Sequence, residues 1–149
     1  MTKPYAYWGL PKEDLELFSK IERIIQEMPE VDLGVDKEGK KVLVSCHILA
    51  RALANVFPIE YKHGYFVDRA HSHSWLVTKS GMIIDPCPWA MVGGPILMDT
   101  RFTIPWSQLY REAPSPKPLL KLHNIDFLER VEKVTKVIKQ TMAMLGIKT

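Results

Sequence analysis

Apolar residues recur at helical spacing in three segments of this chain and thereby predict three amphipathic helices. The first helix is predicted to begin at Pro11 and to run for about 18 residues, with Glu13 and Asp14 in its first turn, where the helix dipole favours acidic side chains. Its apolar positions are Leu15, Phe18, Ile21, Ile24, Ile25 and Met28.

The second helix is predicted to begin near Ser45, which can cap it, or a residue or two earlier, and to end before Pro58. Its predicted buried stripe is Cys46, Leu49, Ala50, Leu53 and Phe57. The third helix is predicted from Asn124 to about Leu145, with Gly146 suited to its end. Its predicted apolar stripe is Leu128, Val131, Val134 or Thr135, Ile138, Met142 and Leu145.

The centre of the chain predicts strands. Residues 59–68 are typical of a strand interrupted at Gly64, and residues 73–86 (HSWLVTKSGMIIDP) are typical of a β-hairpin. A section rich in proline and glycine follows and predicts mostly loop, with a short strand near Thr100–Ile104. Residues 113–118 (APSPKP) indicate an extended linker. The order of helices and strands predicts an α+β fold in a single domain, 1–149.

Hairpin geometry indicates which strand residues share a face. Lys79-Ser80-Gly81 fits a three-residue loop with glycine in the left-handed position. In that register His73 and Asp85 are diagonal neighbours on one face, with Cβ atoms on the order of 7 Å apart or less. A two-residue loop would place them on opposite faces. The predicted opposed pairs are Thr78–Met82, Trp75–Asp85 and His73–Cys87.

Composition and charge narrow the functional class. The chain is 46% hydrophobic and 25% charged, as in ordinary globular domains, and its net charge of +3 is mild. The densest basic run, KEGKK, fits a solvated loop better than a nucleic-acid surface. No signal peptide and no stretch of roughly 18 apolar residues is present, so we expect a cytoplasmic protein that binds neither nucleic acid nor membrane. Cys46 and Cys87 are expected as free thiols, with a structural disulfide as the alternative.

Cys46, His73 and Asp85 follow one another in the order nucleophile, base and base-orienting carboxylate. A free thiol is mostly protonated at neutral pH, but a helix N-terminus and a facing imidazolium both lower its pKa. The backbone N–H of Cys46 is a natural donor to an oxyanion. A second donor is not identified, and Trp8, Gln26 and Tyr61 remain open as candidates.

The segments SCHILARAL, HSHSWLV and GMIIDPCPW, within residues 43–89, resemble the transglutaminase-like proteins of the papain-like Cys-His-Asp superfamily. The resemblance implies a helix carrying the cysteine, packed on an antiparallel sheet that carries the histidine and the aspartate. It implies Cys46 as nucleophile, His73 as general base and Asp85 as its partner, with Trp75 shielding the site and contacting substrate. Many members have a tryptophan shortly before the cysteine, where this chain has Val44 and Ser45.

We therefore expect a cysteine peptidase or amidase, or an acyltransferase, that acts on a peptide or small amide substrate and needs no metal or organic cofactor. A homodimer through the last helix is an additional expectation. One alternative is a binding or adaptor domain that keeps the fold without turnover. Another is a zinc protein that uses His71, His73 and Asp85 with Cys46 or Cys87. His47 lies about 100° around the helix from Cys46 and is not expected to be the base.

Overall fold

The computed structural model describes residues 9–67, 70–87, 94–101, 106–113 and 125–149. In this part of the chain, three α-helices accompany one antiparallel sheet of five strands, which confirms the α+β prediction. The helices are α1 (Lys12–Glu27), α2 (Cys46–Val56) and α3 (Ile125–Leu145), and a 3₁₀ helix spans Trp106–Leu109. The strands are β1 (Glu60–Phe66), β2 (Ser72–Val77), β3 (Ile83–Asp85), β4 (Ile96–Met98) and β5 (Tyr110–Glu112), in the spatial order β4-β3-β2-β1-β5.

The first two helices begin where their caps predict. Pro11 is the N-cap of α1, which buries Phe18, Ile21 and Ile24. Ser45 is the N-cap of α2, and its hydroxyl accepts a hydrogen bond of 3.3 Å from the Ile48 N–H. This cap makes Cys46 the first residue of the helix, at the end of a face that packs on β2 and α3.

The third helix confirms most of its predicted stripe, with one correction. Val131, Val134, Ile138 and Met142 are buried, but Leu128 is 51% exposed. Phe127, one position earlier and about 100° around the helix, takes the buried place instead. Gly146 ends α3 with a φ of +69°, and Asn124 lies outside the described residues.

The β2–β3 hairpin has the predicted register. Gly81 has a φ of +85°, and the Thr78 N–H donates to the Met82 carbonyl over 2.9 Å. The pairs Leu76–Ile84 and Val77–Ile83 continue the same register. Side-chain alternation from these pairs places His73 and Asp85 on one face of adjacent strands.

Gly64 does not interrupt β1, contrary to the prediction. It pairs with His73 on one side and with Glu112 on the other. A Cβ atom at this position would lie 1.9 Å from the Arg111 carbonyl oxygen, so the absence of a side chain lets β5 approach β1. The glycine is thus a point of close strand contact.

The strand predicted near Thr100–Ile104 falls mostly on residues 102–105, which lie outside the described part, as do 114–118 of the predicted linker. Its first two positions, Thr100 and Arg101, form a turn. Before them lies the unpredicted strand β4, whose three residues are buried, and Asp99, which follows it, accepts a 3.0 Å hydrogen bond from the Arg101 N–H. Among the described helices, none has the length and apolar character that crossing a membrane requires.

Candidate active site

Secondary structure brings the three predicted residues to one region. Cys46 is the first residue of α2, His73 lies in β2 and Asp85 ends β3, the strand next to β2. The His73 side chain is 1% exposed and that of Asp85 0%, whereas Cys46 is partly buried. A helix end thus meets a buried pair on two adjacent strands.

The buried pair is held by three hydrogen bonds to one carboxylate. Asp85 Oδ2 lies 2.7 Å from His73 Nε2 and also accepts a 2.7 Å hydrogen bond from the Tyr110 hydroxyl. Its Oδ1 accepts from the Cys87 N–H over 3.0 Å. Because Nε2 of His73 is engaged with the carboxylate, Nδ1 is the nitrogen that can exchange a proton with Cys46.

The surroundings of Cys46 favour its thiolate form. Burial raises the pKa of the thiol, but hydrogen bonds from the His47 and His73 rings, together with their charges, outweigh it and lower the pKa from 9.0 to about 6. The Cys46 N–H stands at the helix start, where backbone donors have no intrahelical acceptor. The same residue therefore offers a nucleophile and an oxyanion donor.

His73 is displaced in the opposite direction. Burial lowers its pKa, but the hydrogen bonds to Asp85 and Cys46 and the negative charges of both partners raise it from 6.5 to about 9. Between about pH 6 and pH 9 the thiolate–imidazolium pair is therefore the favoured state. Burial, with the charges of Cys46 and Asp85, raises the pKa of Cys87 to about 11, so this second thiol stays protonated.

Aromatic rings enclose the imidazole. Trp75 stacks on His73 with ring centroids 6.1 Å apart and planes 22° apart, and Phe66 and Tyr110 lie at 5.9 Å and 6.0 Å. Trp75 is 3% exposed and also contacts the Tyr110 ring. These contacts limit water at His73, and a role for Trp75 in substrate binding stays a prediction.

Two polar residues at this site were not predicted. Tyr110, which binds Asp85, lies on β5, and its segment carries no motif that would have identified it. His47 lies against β2, with Nδ1 2.7 Å from Ser74 Oγ and Nε2 3.2 Å from Ser72 Oγ. Its position next to Cys46, opposite two serines that alternate along a strand, was the available signal.

The remaining sequence-based candidates are those for the second oxyanion donor and for a zinc site. Gln26 is exposed on α1, and the Tyr61 ring covers the Arg51 guanidinium at 4.5 Å, so neither is shown as an oxyanion donor. Trp8 lies outside the described residues. His71 is exposed, and within the described segments no three His, Cys, Asp or Glu side chains are grouped to hold a metal ion, which leaves the zinc alternative without a site there.

No protein-family description, curated protein or solved structure matches this chain.

Proposed function

We propose that this protein has a transglutaminase-like core and acts as a cysteine-dependent hydrolase or acyltransferase on an amide or peptide bond. The observation that carries the proposal is the buried His73–Asp85 pair, joined at 2.7 Å, beside a thiol whose pKa is lowered to about 6. Asp85 would orient the imidazole, His73 would move the proton, and Cys46 would be the nucleophile.

The acylation step follows from these roles. The Cys46 thiolate attacks the carbonyl carbon, a C–S bond forms, and the π electrons move to the oxygen, which the Cys46 N–H can stabilise. The oxyanion then re-forms the carbonyl while the C–N bond breaks, and His73 gives its proton to the departing amine. The products are a thioester on Cys46, a neutral imidazole and a free amine.

Deacylation restores the starting state. The neutral His73 takes a proton from water as the water oxygen attacks the thioester carbon, and the C–S bond breaks to regenerate the thiolate and the imidazolium. An amine in place of water would give acyl transfer. Hydrolysis is the favoured outcome because water is always available.

The compartment we propose is the cytoplasm. Cys46 and Cys87 are both free thiols in the structure. A reducing environment keeps a low-pKa cysteine in the reactive state that the proposed chemistry needs.

Trapping the acyl-enzyme tests the proposal. An activated ester or anilide of a small acyl group is mixed with the Cys87→Ser variant, and the protein is quenched and analysed by peptide mass spectrometry. We expect the acyl mass on the peptide that contains Cys46, with slower loss of the adduct in His73→Ala because deacylation lacks its base. The Cys46→Ser variant is the matched control and should carry no thioester. Absence of a Cys46 adduct with every activated substrate would favour a binding domain.

A further inference from the structure

Tyr110 reaches Asp85 across the width of two strands. In the order of the sheet, β1 and β2 lie between β5, which carries Tyr110, and β3, which ends at Asp85. Three strand spacings of about 4.8 Å separate the two backbones by about 14 Å. The Tyr110 hydroxyl nevertheless donates a 2.7 Å hydrogen bond to Asp85 Oδ2. The two side chains must therefore extend toward each other over the face of the intervening strands.

His73 lies on that face, between the strands of Tyr110 and Asp85. It pairs with Gly64 of β1, and Phe66, two residues further along β1, pairs with Tyr110. Positions two residues apart in a strand share a face, so Phe66, His73 and Tyr110 are on the same side of the sheet. The ring centroids of Tyr110 and His73 are 6.0 Å apart. The phenol ring thus lies beside the imidazole while its hydroxyl binds the carboxylate.

The ring of Tyr110 has contacts of its own, which do not involve the hydroxyl. Its centroid lies 5.1 Å from that of Phe66 and 5.3 Å from that of Trp75, and both contacts are edge-to-face. Aromatic pairs of this geometry are stabilising in themselves. The substitution Tyr110→Phe should therefore keep the ring in place and remove only the hydroxyl, so the two parts of the side chain can be tested separately.

The backbone of β5 is also anchored without the hydroxyl. The Val67 N–H donates to the Leu109 carbonyl over 2.9 Å, and the Ala113 N–H donates to the His63 carbonyl over 2.9 Å. Val67 has a left-handed φ of +73°, which is rare and unfavourable for a β-branched residue. Its N–H binds the residue just before Tyr110. The β1 backbone therefore fixes the place from which the Tyr110 side chain extends.

The carboxylate of Asp85 needs a second fixed donor to hold its orientation. The last torsion of an aspartate side chain has broad minima, so the plane of the carboxylate can turn. Oδ1 accepts a 3.0 Å hydrogen bond from the Cys87 N–H, only two residues further along the chain. Oδ2 has two lone pairs, and His73 Nε2 and the Tyr110 hydroxyl use one each. Without the hydroxyl, the Cys87 N–H alone would hold the carboxylate for His73.

We propose that Tyr110 is a positioning residue for His73, because its hydroxyl fixes the Asp85 carboxylate in the plane that keeps Oδ2 on Nε2. With Nε2 held in this way, Nδ1 stays the nitrogen that exchanges a proton with Cys46. Tyr110 acts through the carboxylate and touches no reacting atom. The inference rests on the proposed function, in which His73 moves the proton in acylation and in deacylation.

The two chemical steps can be measured separately with p-nitrophenyl acetate, in the Cys87→Ser background. Release of p-nitrophenolate reports acylation of Cys46, and loss of the acetyl mass after removal of excess ester reports deacylation. Because p-nitrophenolate leaves without a proton, Tyr110→Phe should change the acylation rate by no more than about twofold. Deacylation needs His73 as its base, and general-base catalysis contributes roughly 10²–10⁴-fold. Misplacing that base should slow deacylation by about tenfold, less than its removal in His73→Ala.

Two variants control for the loss of a hydroxyl and for the loss of the ring. Tyr65→Phe removes a hydroxyl from the residue next to Phe66, on the opposite face of β1, and should leave both rates unchanged. Tyr110→Leu removes the ring as well and should slow deacylation at least as much as Tyr110→Phe. Deacylation at the wild-type rate in Tyr110→Phe, with a loss only in Tyr110→Leu, would show that the ring merely covers His73 and would overturn the positioning role.

Proton NMR of His73 gives a readout that needs no turnover. A ring N–H proton held by a buried carboxylate resonates far downfield and exchanges slowly with water. We expect such a signal from Nε2–H in the wild type and in Tyr65→Phe. In Tyr110→Phe its exchange with water should be about tenfold faster, because the carboxylate turns and the hydrogen bond opens more often. An unchanged exchange rate would contradict the inference.

The outcomes separate this inference from the proposed function. If the wild type neither turns over p-nitrophenyl acetate nor carries an adduct on Cys46, the proposed function fails, and the NMR comparison still decides whether Tyr110 holds the carboxylate. If the wild type is acylated and deacylated, and Tyr110→Phe matches it in both rates and in exchange, the function stands and the inference fails.

Discussion

Replacing His73 by alanine should return Cys46 part of the way to an ordinary thiol. The variant is made in the Cys87→Ser background, so that Cys46 is the only cysteine. The variant loses the hydrogen bond and the charge of His73. Burial, which raises the pKa of the thiol, remains, and so does His47, which lowers that pKa. We therefore expect the pKa of Cys46 to rise from about 6 by at least one unit.

The expected magnitude decides which observable to use. A thiol with a pKa of about 6 is about 90% thiolate at pH 7, and one at the ordinary 9.0 is about 1%. Intrinsic nucleophilicity falls with the pKa, and three units cost roughly 20-fold in rate. The two effects nearly cancel at pH 7, leaving a difference of only about fivefold. The midpoint of the pH profile is therefore a sharper observable than the rate at a single pH.

The assay is the rate of iodoacetamide alkylation, followed by intact mass from pH 4 to pH 10 under pseudo-first-order conditions. We expect a wild-type midpoint near 6 and a higher one in His73→Ala. His71→Ala is the matched control, since this exposed histidine lies two residues earlier. A midpoint that stays the same without His73, or a wild-type midpoint near 9, would refute the thiolate–imidazolium pair.

Two further substitutions test the support of the site. Asp85→Asn removes the charge that holds His73 protonated, so the pKa of His73 should fall from about 9 toward 6.5. NMR titration of the ring should then show the upper end of the ion-pair range at lower pH. An unchanged titration would contradict the role of the carboxylate. Gly64→Ala places a Cβ 1.9 Å from the Arg111 carbonyl oxygen. It should therefore lower the free energy of unfolding, measured by urea titration, by about 1–3 kcal/mol. A variant as stable as the wild type would show that β5 need not lie so close to β1.

Gly39→Ala is the control for the glycine substitution. Gly39 has a φ of +80° and open space around its Cβ position, so alanine should cost only the left-handed backbone penalty of about 1–2 kcal/mol. Both variants lose stability, but only Gly64→Ala displaces β5, which carries Tyr110 against Asp85. A change in the Cys46 alkylation midpoint is thus expected for Gly64→Ala alone.

Local chemistry was sufficient to predict the helices and the hairpin. Ser45 caps α2 through its own hydroxyl, and the left-handed glycine at position 81 selects the three-residue loop. Both signals act over a few residues, where backbone geometry leaves few choices. From them alone follow the place of Cys46 at a helix start and the common face of His73 and Asp85.

Features of the fold that depend on contacts between distant parts of the sequence were missed or misplaced. The short strands β4 and β5 owe their pairing to neighbours distant in sequence, and Gly64 acquires its meaning only from the approach of Arg111. Likewise, whether Phe127 or Leu128 is buried depends on how α3 lies against α2, which helical periodicity leaves open by one residue. Which residues are buried and which strands pair is decided by packing between elements, because each buried surface is formed by residues far apart in the sequence.

By itself the sequence determined the three helices, the register of the hairpin and the three residues of the candidate site. The tertiary structure decided their protonation and their support. Tyr110 reaches Asp85 from 25 positions away along the chain. Ser74 on β2 contacts His47 and Arg51 of α2 and His63 of β1. The physical reason is that a buried polar group must find its partners in space, and no periodicity along the chain records which groups those will be.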